Sequence, residues 1–263
     1  MNLRATFFGK FLLRHGDSVI ENIKSQKSLE LFAYLLLRRQ AHSRESVADL
    51  IWGDHASTEQ SRKYLRNTLW QLQKHLAPQI PDDLTILEAD ARTITVNPAI
   101  SVSTDVEEFE SAFDEVRDVD GALLTKEQAS NLRRALDMYS GPFLGGWFSD
   151  WCLVQRERSQ HMVLLVLDKL MAYAASQGEY ESGIFYGERI LQFDRAREVT
   201  HRNLMMLFYL AGDRSSAVRQ YQLCESILKE ELDISPSERT RTVLESIRNE
   251  TLEKDAAKEE LRK

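Results

Sequence analysis

Cysteine, proline and long apolar runs are all scarce in this sequence. Its 263 residues include 2 cysteines and 5 prolines. Cys152 and Cys224 are too few for a disulfide framework and badly spaced for a metal site, so we expect buried thiols of a reducing compartment. No stretch approaches the roughly 20 apolar residues that cross a bilayer. We therefore expect neither secretion nor membrane insertion, and a cytoplasmic location.

The motifs of common enzyme classes are missing as well. The sequence has no glycine-rich phosphate loop, no nucleophile elbow and no histidine and cysteine grouping with the spacing of metal ligands. Gly145-Gly146 is typical of a turn after Pro142, and the histidines are scattered singly. We expect no enzymatic activity, no cofactor and no bound metal.

Positive charge is concentrated in the first third of the chain. The net charge is -7, but residues 1–97 carry 13 Lys and Arg against 11 Asp and Glu, whereas the remainder carries 21 against 30. With 43% hydrophobic and 29% charged residues, the chain is typical of a globular protein, and its length favours two domains. The N-terminal part is therefore the candidate for contact with nucleic acid.

The first fifty residues predict a small sheet followed by two helices. Short apolar runs from Leu3 to Val19, broken by glycines, are typical of strands joined by tight turns. Ser28 fits the N-cap of a helix over Leu29 to Arg39. Ser43 fits the N-cap of a second helix that ends at Gly53.

A third helix, from about Glu59 to Leu76, has one apolar and one basic side. Its core stripe comprises Leu65, Leu69, Leu72 and Leu76. The opposite side carries Lys63, Asn67, Trp70 and Lys74, with Arg62 and Arg66 at its edge. Lys, Arg and Asn are the residues that contact phosphates and base edges in a major groove. An ordinary solvated helix face is the alternative interpretation.

Two alternating segments follow this helix directly. Leu84 to Glu88 and Thr93 to Val96 predict a hairpin around Ala89-Asp90-Ala91-Arg92. A sheet, three helices and a terminal hairpin form a winged helix. Arg92 would then lie at the tip of the wing, where a guanidinium enters a minor groove or binds phosphate; an ordinary polar turn residue is the alternative.

The rest of the chain is helical in character and contains a repeat. Asn97-Pro98 ends the wing, and Ser103-Thr104-Asp105 supplies cap residues for the next helix, so the domain boundary is expected near 98 to 103. Residues 177–184 match residues 211–218 at an offset of 34, the tetratricopeptide period. Stacked repeats of this kind present concave surfaces to protein partners.

Several segments together resemble the antibiotic-regulatory activators of actinomycetes and their relatives, in which an OmpR-like winged helix precedes a bacterial transcriptional activator domain. They are Leu50-Ile51-Trp52-Gly53-Asp54, Arg62 to Asn67, Leu72 to Leu76, Tyr139 to Leu144, Trp151, Glu157-Arg158 and Glu231 to Ser237. The resemblance covers nearly the whole chain. Gln73, Trp70 and Arg195 depart from the residues usual at their positions.

The resemblance implies an activator that binds direct repeats of double-stranded DNA at promoters, recruits RNA polymerase and often acts as side-by-side protomers, a homodimer on DNA. The expected fold is mainly α with a small β component: a winged helix over 1–98, an all-α tetratricopeptide-like domain over 103–250 and a charged tail over 251–263. The DNA-binding residues would be Arg62, Lys63, Arg66, Asn67, Trp70, Lys74 and Arg92. A repeat-based adaptor that does not bind DNA is the competing hypothesis, and an enzyme is a third.

Overall fold

The computed structural model describes residues 1–20, 23, 25–53, 56–79, 84–253, 257 and 261. Asp54 and most of the predicted tail lie outside the described residues. The strands are β1 Asn2–Thr6, β2 Leu12–His15, β3 Ser18–Val19, β4 His42–Ser43, β5 Leu87–Ala89, β6 Thr93–Val96 and β7 Ser101–Thr104. The helices are α1 Gln26–Leu37, α2 Arg44–Trp52, α3 Thr58–Leu76, α4 Asp105–Asp114, α5 Lys126–Met138, α6 Asp150–Gln177, α7 Tyr180–Phe193, α8 Glu198–Leu210, α9 Arg214–Leu232 and α10 Glu238–Arg248.

The chain forms two compact units, each built from two stretches. The first contains Met1–Phe109 and Met138–Ser159, and the second contains Glu110–Asp137 and Gln160–Lys263. The sequence predicts two contiguous domains, 1–98 and 103–250, with a single boundary between them. In the structure each unit combines two separate stretches of the chain. The fold class is as expected, because a small β-containing N-terminal region precedes a helical repeat region.

The first unit contains two small sheets in addition to α1, α2 and α3. In the larger sheet, of order β3-β2-β1-β7, β1 pairs antiparallel with β2 and parallel with β7. The smaller sheet has the order β4-β6-β5, so the predicted hairpin gains a third strand from the residues before α2. The sequence predicts Ser103 and Thr104 as cap residues and does not predict β7, which pairs with β1.

The first helix begins earlier than the sequence predicted. Its N-cap is Ser25, whose hydroxyl accepts a hydrogen bond from the backbone N–H of Ser28 at 3.4 Å. Ser28 is buried within the first turn instead of capping it. The prediction for the second helix is confirmed, because Ser43 caps α2 and Gly53 ends it.

A buried carboxylate joins β1 to α4. Asp105, 3% exposed, accepts hydrogen bonds from the backbone N–H groups of Phe7, Phe8 and Val106 at 2.8 to 2.9 Å. The cap role expected of this segment falls to Thr104, whose hydroxyl accepts from the N–H of Glu107 at 3.0 Å. Burial raises the pKa of Asp105 despite these donors. Asp105 therefore fixes where the sheet meets the helix.

Trp151 packs within the first unit and is anchored by a buried acid. Its indole N–H donates to Glu30 at 3.3 Å, and its ring lies edge-on to Tyr34 with centroids 5.4 Å apart. Glu30 is 5% exposed and also pairs with Lys27 at 3.1 Å. A buried carboxylate needs such partners, because leaving it without them would carry a large desolvation penalty.

The 34-residue repeat is visible in the hydrogen bonds of the second unit. Gly178 and Gly212 both adopt positive φ, +76° and +87°. The N–H of Glu179 donates to Ala174 O at 2.8 Å, and the N–H of Asp213 donates to Phe208 O at 2.9 Å, which is the same bond 34 residues later. The pairs α6/α7 and α8/α9 are therefore equivalent helix hairpins, as the sequence predicted.

The loop between α7 and α8 carries Arg195, where such repeats commonly have proline. His201 is fully buried, and its Nε2 donates to Arg195 O at 2.8 Å while its Nδ1 accepts from Gln220 at 2.7 Å. Burial lowers the pKa of His201, which favours this neutral form. A side chain thus fixes the loop carbonyl without help from a proline.

Candidate nucleic-acid interface

The helix α3 is held in the core by a regular stripe of leucines. Leu65, Leu72 and Leu76 are 1% exposed and Leu69 is 4% exposed. At its start, the N–H of Ser57 donates to the side chain of Gln60 at 3.2 Å, which satisfies one of the free donors of the first turn. The leucine stripe fixes which side of α3 faces outward, and the cap fixes where the helix begins.

The outward side carries the residues that the sequence singled out. Lys63, Asn67, Trp70 and Lys74 are all exposed and lie opposite the leucine stripe at about 100° per residue. Arg66 is exposed beside them. The surface formed by these five residues, here called the α3 outer face, combines three cations, an amide and an indole.

Arg62 lies at the edge of this surface and is engaged within the protein. Its guanidinium pairs with Glu45 at the start of α2, and both side chains are more than half exposed. Solvent screens such a pair, and exposed pairs are worth about 0 to 1 kcal/mol. Arg62 can therefore exchange Glu45 for another anion at little cost.

Trp70 and Lys74 interact on successive turns. Trp70 is 61% exposed, and the Lys74 Nζ lies 5.1 Å from the centroid of its ring, within the range of a cation–π contact. Both residues also border an open depression of about 470 Å³, together with Ile23, Ser25, Ser28, Gln71, Leu72 and His75. A large exposed indole next to a lysine gives this end of α3 both apolar and cationic character.

The wing turn is fixed by Asp90. Its Oδ1 accepts from the backbone N–H groups of Arg92 and Thr93, both at 2.6 Å, and its Oδ2 accepts from the hydroxyl of Thr93 at 3.0 Å. These hydrogen bonds hold the pKa of Asp90 below its usual value, and the bond from the backbone N–H of Thr93 has the largest effect. The carboxylate is therefore stabilised in its charged form, and the turn keeps Arg92 exposed.

Arg44 connects the wing to the start of α2. Its backbone N–H donates to Arg92 O at 2.9 Å, and its guanidinium donates to Asp90 O at 3.0 Å. The sequence does not indicate that Arg44 is important for the wing, since its long-range hydrogen bonds to backbone carbonyls leave no local pattern. The bonds of Asp90 are local, and an aspartate two residues before Arg92 is the signal that could have indicated its role in the turn. The structure thus groups five predicted residues on the α3 outer face, and places Arg62 at its edge and Arg92 on a separate element.

Within the described part of the chain, no group of three or more His, Cys, Asp or Glu side chains is arranged to hold a metal ion. None of the described helices is long and apolar enough to cross a membrane.

Burial raises the pKa of Cys152 to about 11 and that of Cys224 to about 12. At neutral pH both cysteines are therefore protonated and unreactive.

A family model, a regulatory protein and a solved structure are similar to this chain. The model of the bacterial transcriptional activator domain matches residues 104–248, more than half of the chain. The chain is 23% identical over 251 residues to the regulatory protein AfsR of Streptomyces coelicolor, which covers 94% of this chain but 24% of AfsR. The chain thus spans about a quarter of the length of that relative.

The fold is shared with a solved structure. A complex of Mycobacterium tuberculosis EmbR with a low-affinity phosphopeptide superposes with a TM-score of 0.75 at 16% identity, covering 98% of this chain and 69% of the EmbR chain. The likeness extends over both the winged-helix region and the helical repeats. With its winged helix followed by the matched domain, the chain belongs to the bacterial transcriptional activator domain family of transcriptional regulators.

Proposed function

We propose that this protein is a sequence-specific DNA-binding transcriptional activator that inserts α3 into the major groove. The observation that carries the proposal is the α3 outer face: Lys63, Arg66, Asn67, Trp70 and Lys74 are all exposed, opposite a fully buried leucine stripe. An exposed helix face with cations and an amide has the composition of a recognition helix.

Each side chain of this surface has a matching partner on a DNA duplex. Lys63, Arg66 and Lys74 suit phosphate oxygens or the acceptor edge of guanine, and the carboxamide of Asn67 suits the paired donor and acceptor of adenine. The exposed ring of Trp70 suits apolar contact with a thymine methyl group. Base contacts by Arg66 and Asn67 would supply sequence specificity, while Lys74 would supply affinity that does not depend on sequence.

Arg62 and Arg92 would contact the backbone or the minor groove at the edges of the site. Arg62 would exchange its exposed pair with Glu45 for a phosphate. Arg92 is exposed in a turn that Asp90 holds in place. Preorganisation of this kind lowers the entropy lost on binding.

We infer the cellular role from the family and from the name of the relative. As a transcriptional regulator without the motifs of an enzyme, the protein would bind direct repeats at promoters in the cytoplasm. It would act there as side-by-side protomers, and its helical repeats would contact RNA polymerase. The AfsR of Streptomyces coelicolor, named a regulatory protein, is the similarity that supports a regulatory role.

Alanine substitutions test the assignment of roles on α3. We expect Arg66→Ala and Asn67→Ala each to weaken binding to the cognate duplex by about 1 to 3 kcal/mol and to relax specificity at one position. Lys74→Ala should weaken binding to all duplexes alike. It should also reduce the slope of the log binding constant against log salt concentration, here called the salt slope, by about 1. Fluorescence anisotropy with the DNA upstream of the protein's own gene, at several salt concentrations, measures both quantities.

The controls are Lys10→Ala and Arg14→Ala, which remove two exposed cations of the same unit outside α3 and the wing. Both variants should bind the cognate duplex with unchanged affinity. Unchanged affinity in both Arg66→Ala and Asn67→Ala would refute the site assignment. If the full chain shows no salt-dependent affinity for any duplex but retains a protein partner, the competing adaptor function is correct.

A further inference from the structure

The wing turn holds the backbone of Arg92 on both sides. The N–H of Arg92 donates to Asp90 Oδ1 at 2.6 Å, and its carbonyl accepts from the backbone N–H of Arg44 at 2.9 Å. The guanidinium of Arg92 is exposed and makes no hydrogen bond or ion pair with the part of the chain that the structure describes. The backbone is therefore fixed, while the side chain that would contact DNA stays free.

The side chain of Asp90 specifies one conformation of this turn. Besides the bond from Arg92, it accepts from the N–H of Thr93 at 2.6 Å and from the Thr93 hydroxyl at 3.0 Å. The N–H of Asp90 donates in turn to Thr93 O at 3.1 Å. The turn lies at the surface, where backbone groups can bond to water instead. These bonds are therefore not needed to satisfy buried donors, and their effect is to select a single turn geometry.

Arg44 attaches the turn to the start of α2. Its guanidinium donates to Asp90 O at 3.0 Å, so its two donors hold the carbonyls of both Asp90 and Arg92. Ser43, the residue before it, pairs with Thr93 in the smaller sheet and also caps α2. The wing turn and the first turn of α2 are therefore joined by backbone and side-chain hydrogen bonds.

The same turn of α2 also contacts α3. Glu45, the residue after Arg44, pairs with Arg62 at the edge of the α3 outer face, and α2 itself packs against α3. The start of α2 therefore links the wing to the α3 outer face. A protein that contacts one duplex at two places binds more tightly when both contacts are held at the required spacing, because less freedom is lost on binding.

We propose that Asp90 and Arg44 are positioning residues, which hold Arg92 at the distance from the α3 outer face at which its guanidinium reaches the same duplex. This inference rests on the proposed function and adds a dependence within it. The affinity that the wing contributes would be supplied by Arg92 but would be lost without the other two side chains. Asp90 would strengthen DNA binding although its carboxylate repels phosphates.

The two effects of Asp90 have opposite signs, so two substitutions separate them. Asp90→Asn and Asp90→Ala remove the same negative charge, which by electrostatics alone should strengthen binding to DNA. The asparagine oxygen can still accept from the N–H groups of Arg92 and Thr93, whereas alanine offers no acceptor. We expect Asp90→Ala to weaken binding about 3- to 10-fold, because the turn must then be ordered on binding. Asp90→Asn should bind at least as tightly as the unchanged protein.

A second pair of measurements tests whether both residues act through Arg92. Asp90→Ala and Arg44→Ala should each weaken binding about 3- to 10-fold when Arg92 is present, but less than about 2-fold when Arg92→Ala is already in place. A direct phosphate contact by Arg44 would behave differently, since its loss would lower the salt slope by about 1 in both backgrounds. A general loss of folding would likewise weaken binding equally in both.

Anisotropy titrations of the full chain with the DNA upstream of its own gene, at several salt concentrations, measure these affinities. Asp17→Ala, at an exposed turn outside the wing, is the matched control and should not weaken binding. Circular dichroism verifies that each variant is folded. Equal affinity of the Asp90→Ala and Asp90→Asn proteins, equal losses with and without Arg92, or no loss from Arg92→Ala would each overturn the proposal.

Arg66→Ala, measured in the same titrations, distinguishes failure of this inference from failure of the proposed function. If Arg66→Ala weakens binding while the wing variants do not, only the positioning role is wrong. If the unchanged protein shows no salt-dependent binding to the duplex, the DNA-binding function is wrong and the positioning role is wrong with it.

Discussion

The Asp105→Ala variant should be less stable than the unchanged protein by about 3 to 5 kcal/mol, because it leaves buried backbone donors without an acceptor. The carboxylate is 3% exposed and accepts from Phe7, Phe8 and Val106. Alanine supplies no acceptor, and a cavity lined by three N–H groups replaces the carboxylate. Asp105→Asn should lose less, since its single carbonyl oxygen still accepts part of this set.

Chemical denaturation followed by tryptophan fluorescence measures this loss. The four tryptophans, Trp52, Trp70, Trp147 and Trp151, all lie in the first unit, so their emission reports on the unit that contains Asp105. Asp17→Ala, an exposed turn aspartate of the same unit, is the control and should change stability little. A midpoint for Asp105→Ala within error of the unchanged protein would show that the three donors find other acceptors.

The same carboxylate predicts the direction of a pH effect. Because burial raises the pKa of Asp105, the folded protein holds this proton more tightly than the unfolded chain does. The added stability that comes from this tighter proton binding is therefore fully present below the usual pKa of aspartate and is lost as pH rises through the raised value. Asp105→Asn should remove that part of the pH dependence.

Charge reversal on α3 has the second large expected effect. Lys63→Glu combined with Arg66→Glu should reduce affinity for DNA about 100-fold or more, because two cations are lost and two carboxylates then face the phosphates. Both side chains are exposed, so folding should be unaffected. The salt slope should also become shallower by about 2, since two fewer counterions are released.

Lys10→Glu combined with Arg14→Glu is the matched control for charge reversal. It changes the net charge of the same unit by the same amount at exposed positions outside α3. If both double variants lose the same affinity, the effect comes from overall charge and not from the α3 outer face. If neither loses affinity, α3 does not face DNA.

Helix periodicity made much of this fold predictable. The leucines of α3 recur at the spacing of one helix face, so the sequence alone predicts both the core side and the exposed side of this helix. The glycines of the repeat are equally informative, since their offset of 34 residues predicts two equivalent turns. Such local patterns can be recognised in the sequence because the residues that form the pattern are the same residues that determine the packing.

Interactions between distant segments were not predictable in the same way. The strand β7 exists because it pairs with β1, about a hundred residues earlier, and nothing in Ser101 to Thr104 specifies that partner. The sequence pattern around Asp105 is that of a helix cap. In the structure its carboxylate oxygens accept hydrogen bonds from the backbone N–H groups of Phe7 and Phe8, which follow β1. The pair between Arg62 and Glu45 likewise joins two helices.

Directed DNA cleavage is the most direct test of the claim that α3 enters a groove. Because Cys152 and Cys224 are buried with raised pKa values, a cysteine introduced at Gln73, exposed on α3, can be labelled selectively with an iron chelate. We predict strand cleavage within a few base pairs inside the protected site from Gln73→Cys, and none above background from Ser18→Cys on β3. Absence of cleavage from Gln73→Cys in a bound complex, or equal cleavage from both positions, would contradict it.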